Sequence, residues 1–167
     1  DPVFSKEEIS YLTAHGCEIP PRNEEGRRVT HTPTLFVMPH CGRQLYSNVL
    51  SSNWSAKGLR RVHVLGNSFA AYAQSLSADE HHRALSWCHL LQAAPLTAEV
   101  SCGMPAVRAD RFDNAFNNLS LHSFTPPPAD DAFWLKAFTA LPGDEPLAHL
   151  DIIPASVSPS TESAQVA

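Results

Sequence analysis

Two short segments carry residue types able to do chemistry, Met38-Pro39-His40-Cys41 and Gly66-Asn67-Ser68, with Asp1 as a third station at the amino end. An imidazole such as His40 titrates near neutrality and can act as a general base, and an Asn amide such as Asn67 can position a substrate through its donor and its acceptor. An acid such as Asp1 can accept ribose hydroxyls, and the free amides of a helix after Ser68 suit an anion. Asp1, His40, Cys41, Gly66, Asn67 and Ser68 are therefore the candidate ligand-binding residues, and His40 and Asn67 the candidates for catalysis.

Each also has a plainer reading. Asp1 before a proline suits a turn, and Ser68 suits an N-cap that satisfies helix amides. Neighbours on an extended segment point to opposite sides, so a Cys-His nucleophile built on Cys41 would need a second base such as His63. A surface His40 beside a half-buried Cys41 is the favoured reading. His63 itself, in mid-strand, reads as a packed and hydrogen-bonded core residue. A haem or metal role for His40 or Cys41 would rest on too few ligands. Cys17, Cys41, Cys88 and Cys102 lie far apart and read as free thiols, and none of the nine histidines has zinc-site spacing. No metal site is legible. The dinucleotide-binding, Walker, Gly-x-Ser-x-Gly and His-Glu-x-x-His signatures are absent, and no cofactor is named.

Periodicity supplies the elements that must position these residues. Ser5 to Glu8 is a capping box that opens a helix with Ile9 and Leu12 as its buried stripe, stopped by Gly16. Cys17 to Ile19 reads as a short strand ended by Pro20-Pro21, and residues 22–31 as a loop. The unbroken apolar run Thr34 to Met38 predicts a parallel strand covered on both faces. Leu45 with Val49, and Tyr46 with Leu50 and Trp54, repeat at helical spacing. Arg61 to Leu65 is the next strand, which Gly66-Asn67-Ser68 turns into a helix holding Phe69, Ala73 and Leu76. A second capping box, Ser77 to Glu80, predicts a helix with Ala84, Leu85, Cys88 and Leu91 on one face. Val100 falls in a short extended segment, and Leu119 to Phe124 alternates as a strand with Leu119 and Leu121 on its apolar face. After Pro126-Pro127-Pro128, Asp130 or Asp131 caps an amphipathic helix bearing Trp134, Ala137, Phe138 and Leu141.

Strands alternating with helices predict an α/β fold: a Rossmann-like, mostly parallel sheet with helices on both faces. Residues 1–125 form its domain, 126–141 a Pro linker and docked helix, and 142–167 an acidic Pro/Ser/Ala tail without a buried face. The chain opens on Asp1-Pro2 without an initiator Met, and is read as a fragment whose first βα unit lies upstream.

A length of 167 residues with 43% apolar content suits one globular domain rather than a coiled coil or a disordered chain. No apolar run approaches the roughly 20 residues of a membrane helix, so a soluble chain is expected. The net charge of −5 arises beyond residue 125, where six acids face only Lys136. The preceding part is balanced, and its basic pairs Arg27-Arg28 and Arg60-Arg61 read as solvated rims, so the charge argues against nucleic-acid binding.

The strings Asp1-Pro2-Val3-Phe4, Asn23-Glu24-Glu25-Gly26, Thr34 through Cys41, Asn53-Trp54 and Gly66-Asn67-Ser68-Phe69 occur in order. Together they resemble the Sensitivity-to-Red-Light-Reduced, or SRR-like, domain family over residues 1 to about 75, and Phe116 through Phe124 resembles the family's last strand. The chain departs in a longer Pro/Ala-rich stretch after residue 77 and lacks the family's upstream Gly-containing strand. The resemblance implies a regulatory role in red-light (phytochrome) signalling and the circadian clock, and in regulation of haem biosynthesis in animals, in cytoplasm and nucleus. It brings no established reaction. Two expectations follow: a signalling protein that binds a protein or small-molecule partner without turnover, or an uncharacterised Rossmann-type enzyme such as an S-adenosylmethionine-dependent transferase with His40 as base and Asn67 positioning the substrate.

Overall fold

A computed structural model describes residues 3–85, 88–102 and 118–135. Helix α1 (Lys6–Ala14) begins where Ser5 accepts from the Glu8 amide and the Glu8 carboxylate accepts from the Ser5 amide. It ends at Gly16, φ +80°, with the Cys17 amide reaching back to the Leu12 carbonyl, the six-to-one bond of a Schellman stop. Its predicted stripe is only half covered, since Ile9 and Leu12 are partly buried and no residue of α1 is fully buried. Cys17 to Ile19 forms no strand. Pro20-Pro21 cuts it short before it can join a ladder.

The remaining elements are β1 (Thr34–Met38), α2 (Arg43–Ser52), α3 (Ala56–Leu59), β2 (Val62–Asn67), α4 (Phe69–Gln74), α5 (Ala78–Ala84), α6 (His89–Ala93), β3 (Thr97–Ser101) and β4 (Leu119–Phe124), followed by a 3-10 turn at Ala132–Leu135. The sheet order is β1-β2-β4-β3. β1 and β2 pair in parallel, whereas β4 pairs antiparallel with both β2 and β3. The expected mostly parallel, Rossmann-like sheet is thus corrected to a mixed α/β sheet with one parallel pair. The helical crossovers do return β1, β2 and β3 in one direction, as the alternation implies. β4 then enters between β2 and β3 in the opposite sense, and no periodicity in the sequence announces that insertion.

The two faces of the sheet also differ from the expected cover of helices on both. Tyr46, Val49 and Leu50 of α2, Leu59 of α3, Phe69 of α4 and Leu90 of α6 pack with Val62 and Val64 of β2 and Phe124 of β4 into one core. The other face carries Leu35, Val37, Val100 and Leu121, at 53%, 62%, 64% and 43% exposure. Val37, Leu65, Leu121 and Val100 are register partners in one row across all four strands. The apolar run of β1 therefore reads as doubly covered although, among the described residues, nothing packs on one of its faces. On β4 the buried face is Ser120, His122 and Phe124, with Leu119 also buried; Leu121 points to the open side, contrary to the alternation drawn from the leucines.

The helix expected after Ser77 breaks in two, with residues 86 and 87 outside the described ones. Ala84, Cys88 and Leu91 nevertheless all reach the core, and the Cys88 amide donates to the Ala84 carbonyl at 2.8 Å. After the prolines, the Asp131 carboxylate caps the Phe133 amide at 2.8 Å, and Trp134 meets Trp54 edge-on at 5.9 Å. The expected helix begins there as a 3-10 turn; Ala137, Phe138 and Leu141 lie outside the described residues, as does the tail. Among the described residues no helix is long and apolar enough to cross a membrane.

Candidate functional site

β1 and β2 run in parallel with Met38 opposite Gly66, so the segments leaving them emerge at the same end of the sheet. Observed β2 runs two residues past its predicted end, which puts Gly66 and Asn67 in the strand rather than in the turn. Gly66 is required by packing. A Cβ there would lie 2.6 Å from the Tyr46 hydroxyl and 2.7 Å from its Cε1, closer than Cβ atoms come to any neighbour, and a tight 3.0 Å from the Met38 carbonyl oxygen. The vacated space admits Tyr46 from α2, whose hydroxyl donates to the Met38 carbonyl and accepts from the Asn67 amide at 2.9 Å. Burial pushes the Tyr46 pKa well up, so this phenol stays a neutral donor.

Asn67 is consumed as a brace. Its Oδ1 accepts from the His40 amide at 2.7 Å and its Nδ2 donates to the Tyr72 hydroxyl at 2.8 Å, while that hydroxyl donates to the Cys41 carbonyl. The His40 amide can only donate, which fixes the orientation of the Asn67 side chain. His40 is exposed and has φ +57°, a left-handed conformation that costs a non-glycine residue on the order of 1 kcal/mol and that the Asn67 bond holds in place. The structure thus brings His40, Cys41, Gly66 and Asn67 together at one rim. Ser68 adjoins them as an N-cap, accepting from the Ala71 amide at 3.0 Å, which is its plainer reading. Asp1 lies outside the described residues.

Cys41 is half-buried, and burial raises its thiol pKa, the opposite of what a nucleophile needs. His63 sits in mid-strand, in register with Leu35 and Ser123, half-buried on the open side of β2 rather than in the core where it was expected. The Cys-His pair therefore has no geometric support.

The core histidine is His122, which the leucine-led reading of β4 passed over. It is fully buried beneath Phe69, ring centroids 4.1 Å apart, with Nδ1 3.1 Å from the Val64 carbonyl. Since a carbonyl only accepts, Nδ1 carries the hydrogen and Nε2 faces the Glu99 carboxylate at 3.6 Å. Desolvation lowers the His122 pKa. Burial alone would raise that of Glu99, but hydrogen bonds from the Ser68 hydroxyl, the Ala70 amide and the Ser120 hydroxyl, with His122 beside it, hold it below the ordinary carboxylate value. The order of groups is wrong for a hydrolytic triad, because the carboxylate lies between the serines and the imidazole. This cluster ties β2, β3, β4 and α4 together. The only sequence signal for it was the pairing of Ser120, His122 and Phe124 at period two.

Two further strings serve the scaffold. Asn23 accepts from the Glu25 amide, and Glu25 and Gly26 take φ +51° and +75°; a Cβ on Gly26 would meet the Leu45 carbonyl at 3.0 Å. That turn lies against α2, where Asn48 donates to the Glu25 carbonyl at 2.8 Å. Asn53 is buried: its Oδ1 accepts from the Thr30 amide and hydroxyl, and its Nδ2 donates to the Arg28 and Val49 carbonyls. The loop before β1 is thereby sewn to the end of α2, and Trp54 next to it receives Trp134. Among the described residues no group of three potential metal ligands occurs.

Residues 1–123 match the SRR1 domain. The chain is 52% identical over 79 residues to a mouse SRR1-like protein, covering 47% of this chain and 32% of that protein. It is 37% identical over 125 residues to the Arabidopsis thaliana protein Sensitivity to Red Light Reduced 1, covering 75% of this chain and 44% of the relative. A Drosophila melanogaster SRR1-like protein is 30% identical over 140 residues, covering 81% and 47%. The chain thus spans less than half the length of each of these relatives. No solved structure matches it.

Proposed function

Because the chain belongs to the SRR1 domain family, we propose that it is a regulatory, signalling protein that acts by binding a partner or small ligand at the strand-end rim, without turnover. The observation that carries this reading is the Asn67 brace. Both ends of the Asn67 amide and the Tyr46 and Tyr72 hydroxyls are spent on main chain or on one another, holding the Pro39–Cys41 segment with His40 presented outward. Such a rim recognises by shape and by one imidazole. A transferase would instead need Asn67 to release its present partners before it could position a substrate. The name of the Arabidopsis relative supports a red-light response; the family resemblance extends the proposal to clock output and regulation of haem biosynthesis, in cytoplasm and nucleus.

The test is expression of this chain, His40→Ala and Asn67→Ala in Arabidopsis plants lacking that relative, scored by their red-light response. Rescue by the unaltered chain, lost with either variant, is expected. Rescue by both variants would remove the rim from the proposal. In parallel, calorimetry with S-adenosylmethionine, nucleotides and haem should detect no converted ligand; turnover of any one would overturn the non-catalytic reading.

A further inference from the structure

The rim lies beyond the carboxyl ends of β1 and β2. At the opposite end of β2, an open cavity of about 530 Å³ is lined by Ala56, Lys57, Arg60, Arg61, Pro128 and Ala129. Half of these residues are cationic and none is acidic. The described ion pairs are Arg27 with Glu25, Arg28 with Glu24 and His122 with Glu99, so none of them neutralises this group. Asp130 and Asp131 follow the wall without lining it, and the Asp131 carboxylate is engaged by the Phe133 amide.

Both sides of the groove are built rigidly. On one side, Ser55 caps α3 by accepting from the Gly58 amide at 3.0 Å, and a Cβ on Gly58 would lie only 2.4 Å from the Asn53 carbonyl. The Arg61 amide donates to the Gly58 carbonyl, and the Arg61 carbonyl accepts from Thr34 at 2.7 Å, which anchors the double-arginine backbone to the sheet. On the other side, the Pro128 carbonyl accepts from the Asp131 amide and from the Trp134 indole at 2.7 Å, with that indole packed on Trp54. Fixed backbones thus set three cations around one concavity whose volume suits a ligand larger than a lone anion, such as a short peptide carrying an anionic group.

We propose that this groove is a binding site for a phosphorylated peptide, with Lys57, Arg60 and Arg61 receiving the phosphate and the Pro128-Ala129 wall bearing on the flanking peptide. Guanidinium forks match the oxygens of a phosphate, and a dianion relieves the mutual repulsion of three cations in a way one carboxylate does not. The balanced charge of the first 125 residues offers no wider basic field for a nucleic-acid backbone, and the lining contains no aromatic ring on which a base could stack. The site is independent of the rim, and each can fail without the other.

The full chain is to be probed with an arrayed library of phosphoserine and phosphothreonine peptides and their unphosphorylated counterparts, and the best binder followed by calorimetry and amide NMR. Phosphorylation should tighten binding at least tenfold, with shifts at residues 57–61 and at Ala129. The double variant Lys57→Ala/Arg60→Ala alters two exposed side chains and should weaken binding at least tenfold while leaving the melting temperature unchanged. Equal affinity for phosphorylated and plain peptides, an unaffected double variant, or preferential capture of single-stranded RNA or anionic vesicles would overturn the proposal.

Discussion

Replacing Gly66 with alanine tests the packing that shapes the rim. The added Cβ would lie 2.6 Å from the Tyr46 hydroxyl, 2.7 Å from its Cε1 and 3.0 Å from the Met38 carbonyl oxygen. The strand cannot give way without losing its Met38–Gly66 register, so Tyr46 must move. Overpacking of this kind costs about 1–3 kcal/mol. Displacing the hydroxyl from Met38 and Asn67 adds about 1 kcal/mol for each hydrogen bond. A total of about 3–5 kcal/mol lowers the melting temperature by roughly 10–15 °C in a chain of this size. Urea unfolding of the wild type, Gly66→Ala, Tyr46→Phe and the double variant closes the cycle. Tyr46→Phe removes the atom nearest the new methyl, so the double variant should be more stable than additivity predicts by at least about 1 kcal/mol. Strict additivity, or a Gly66→Ala protein as stable as the parent, would refute the account of why glycine stands there.

Three other outcomes are expected. The His122 pKa is lowered below 6.5 in the folded protein, so as the pH falls below 6.5 the unfolded chain takes up a proton before the folded one does, and stability should drop until the lowered value is passed. Glu99, lowered from 4.5, adds a further loss below that pH; in denaturant titrations His122→Gln should abolish the first loss and leave the second, and an unchanged profile would remove His122 from it. Asn53→Ala strips four hydrogen bonds from a buried position and should cost roughly 2–4 kcal/mol, with faster amide exchange at Thr30; undiminished protection of that amide would count against the brace. Deletion of residues 143–167, which carry no periodic apolar face, should leave the melting temperature within about 2 °C of the parent, and a loss of cooperative unfolding would show that the segment is part of the fold.

Local signals were legible wherever one residue's chemistry dictates one conformation. The Ser5–Glu8 box, the Gly16 stop, β1, α2 and the Ser68 cap all follow from the chain itself. The meeting of His40 with Asn67 also followed, because two parallel strands joined by helices must end on the same side. What stayed hidden is nonlocal. The antiparallel entry of β4 depends on a pairing choice between distant strands, and the open face of β1 on what fails to cover it. His122 escapes any reading that points the leucines of β4 inward, because cross-strand pairing with Val64 and Glu99 gives the inner position to the imidazole. The resemblance-bearing strings Asn23–Gly26 and Asn53-Trp54 turned out to act on backbone and packing, which residue type alone does not disclose.

The apolar side of the sheet that the described residues leave exposed bears on how this chain handles in solution. Its uncharged row ends at β1, a border strand that presents Leu35 and Val37 to water with no proline or charge along Thr34–Met38 to discourage a neighbour. An edge of this kind is a template for pairing between copies of the chain. Light scattering should climb with concentration, and a lysine in place of Val37 should keep the solution clear.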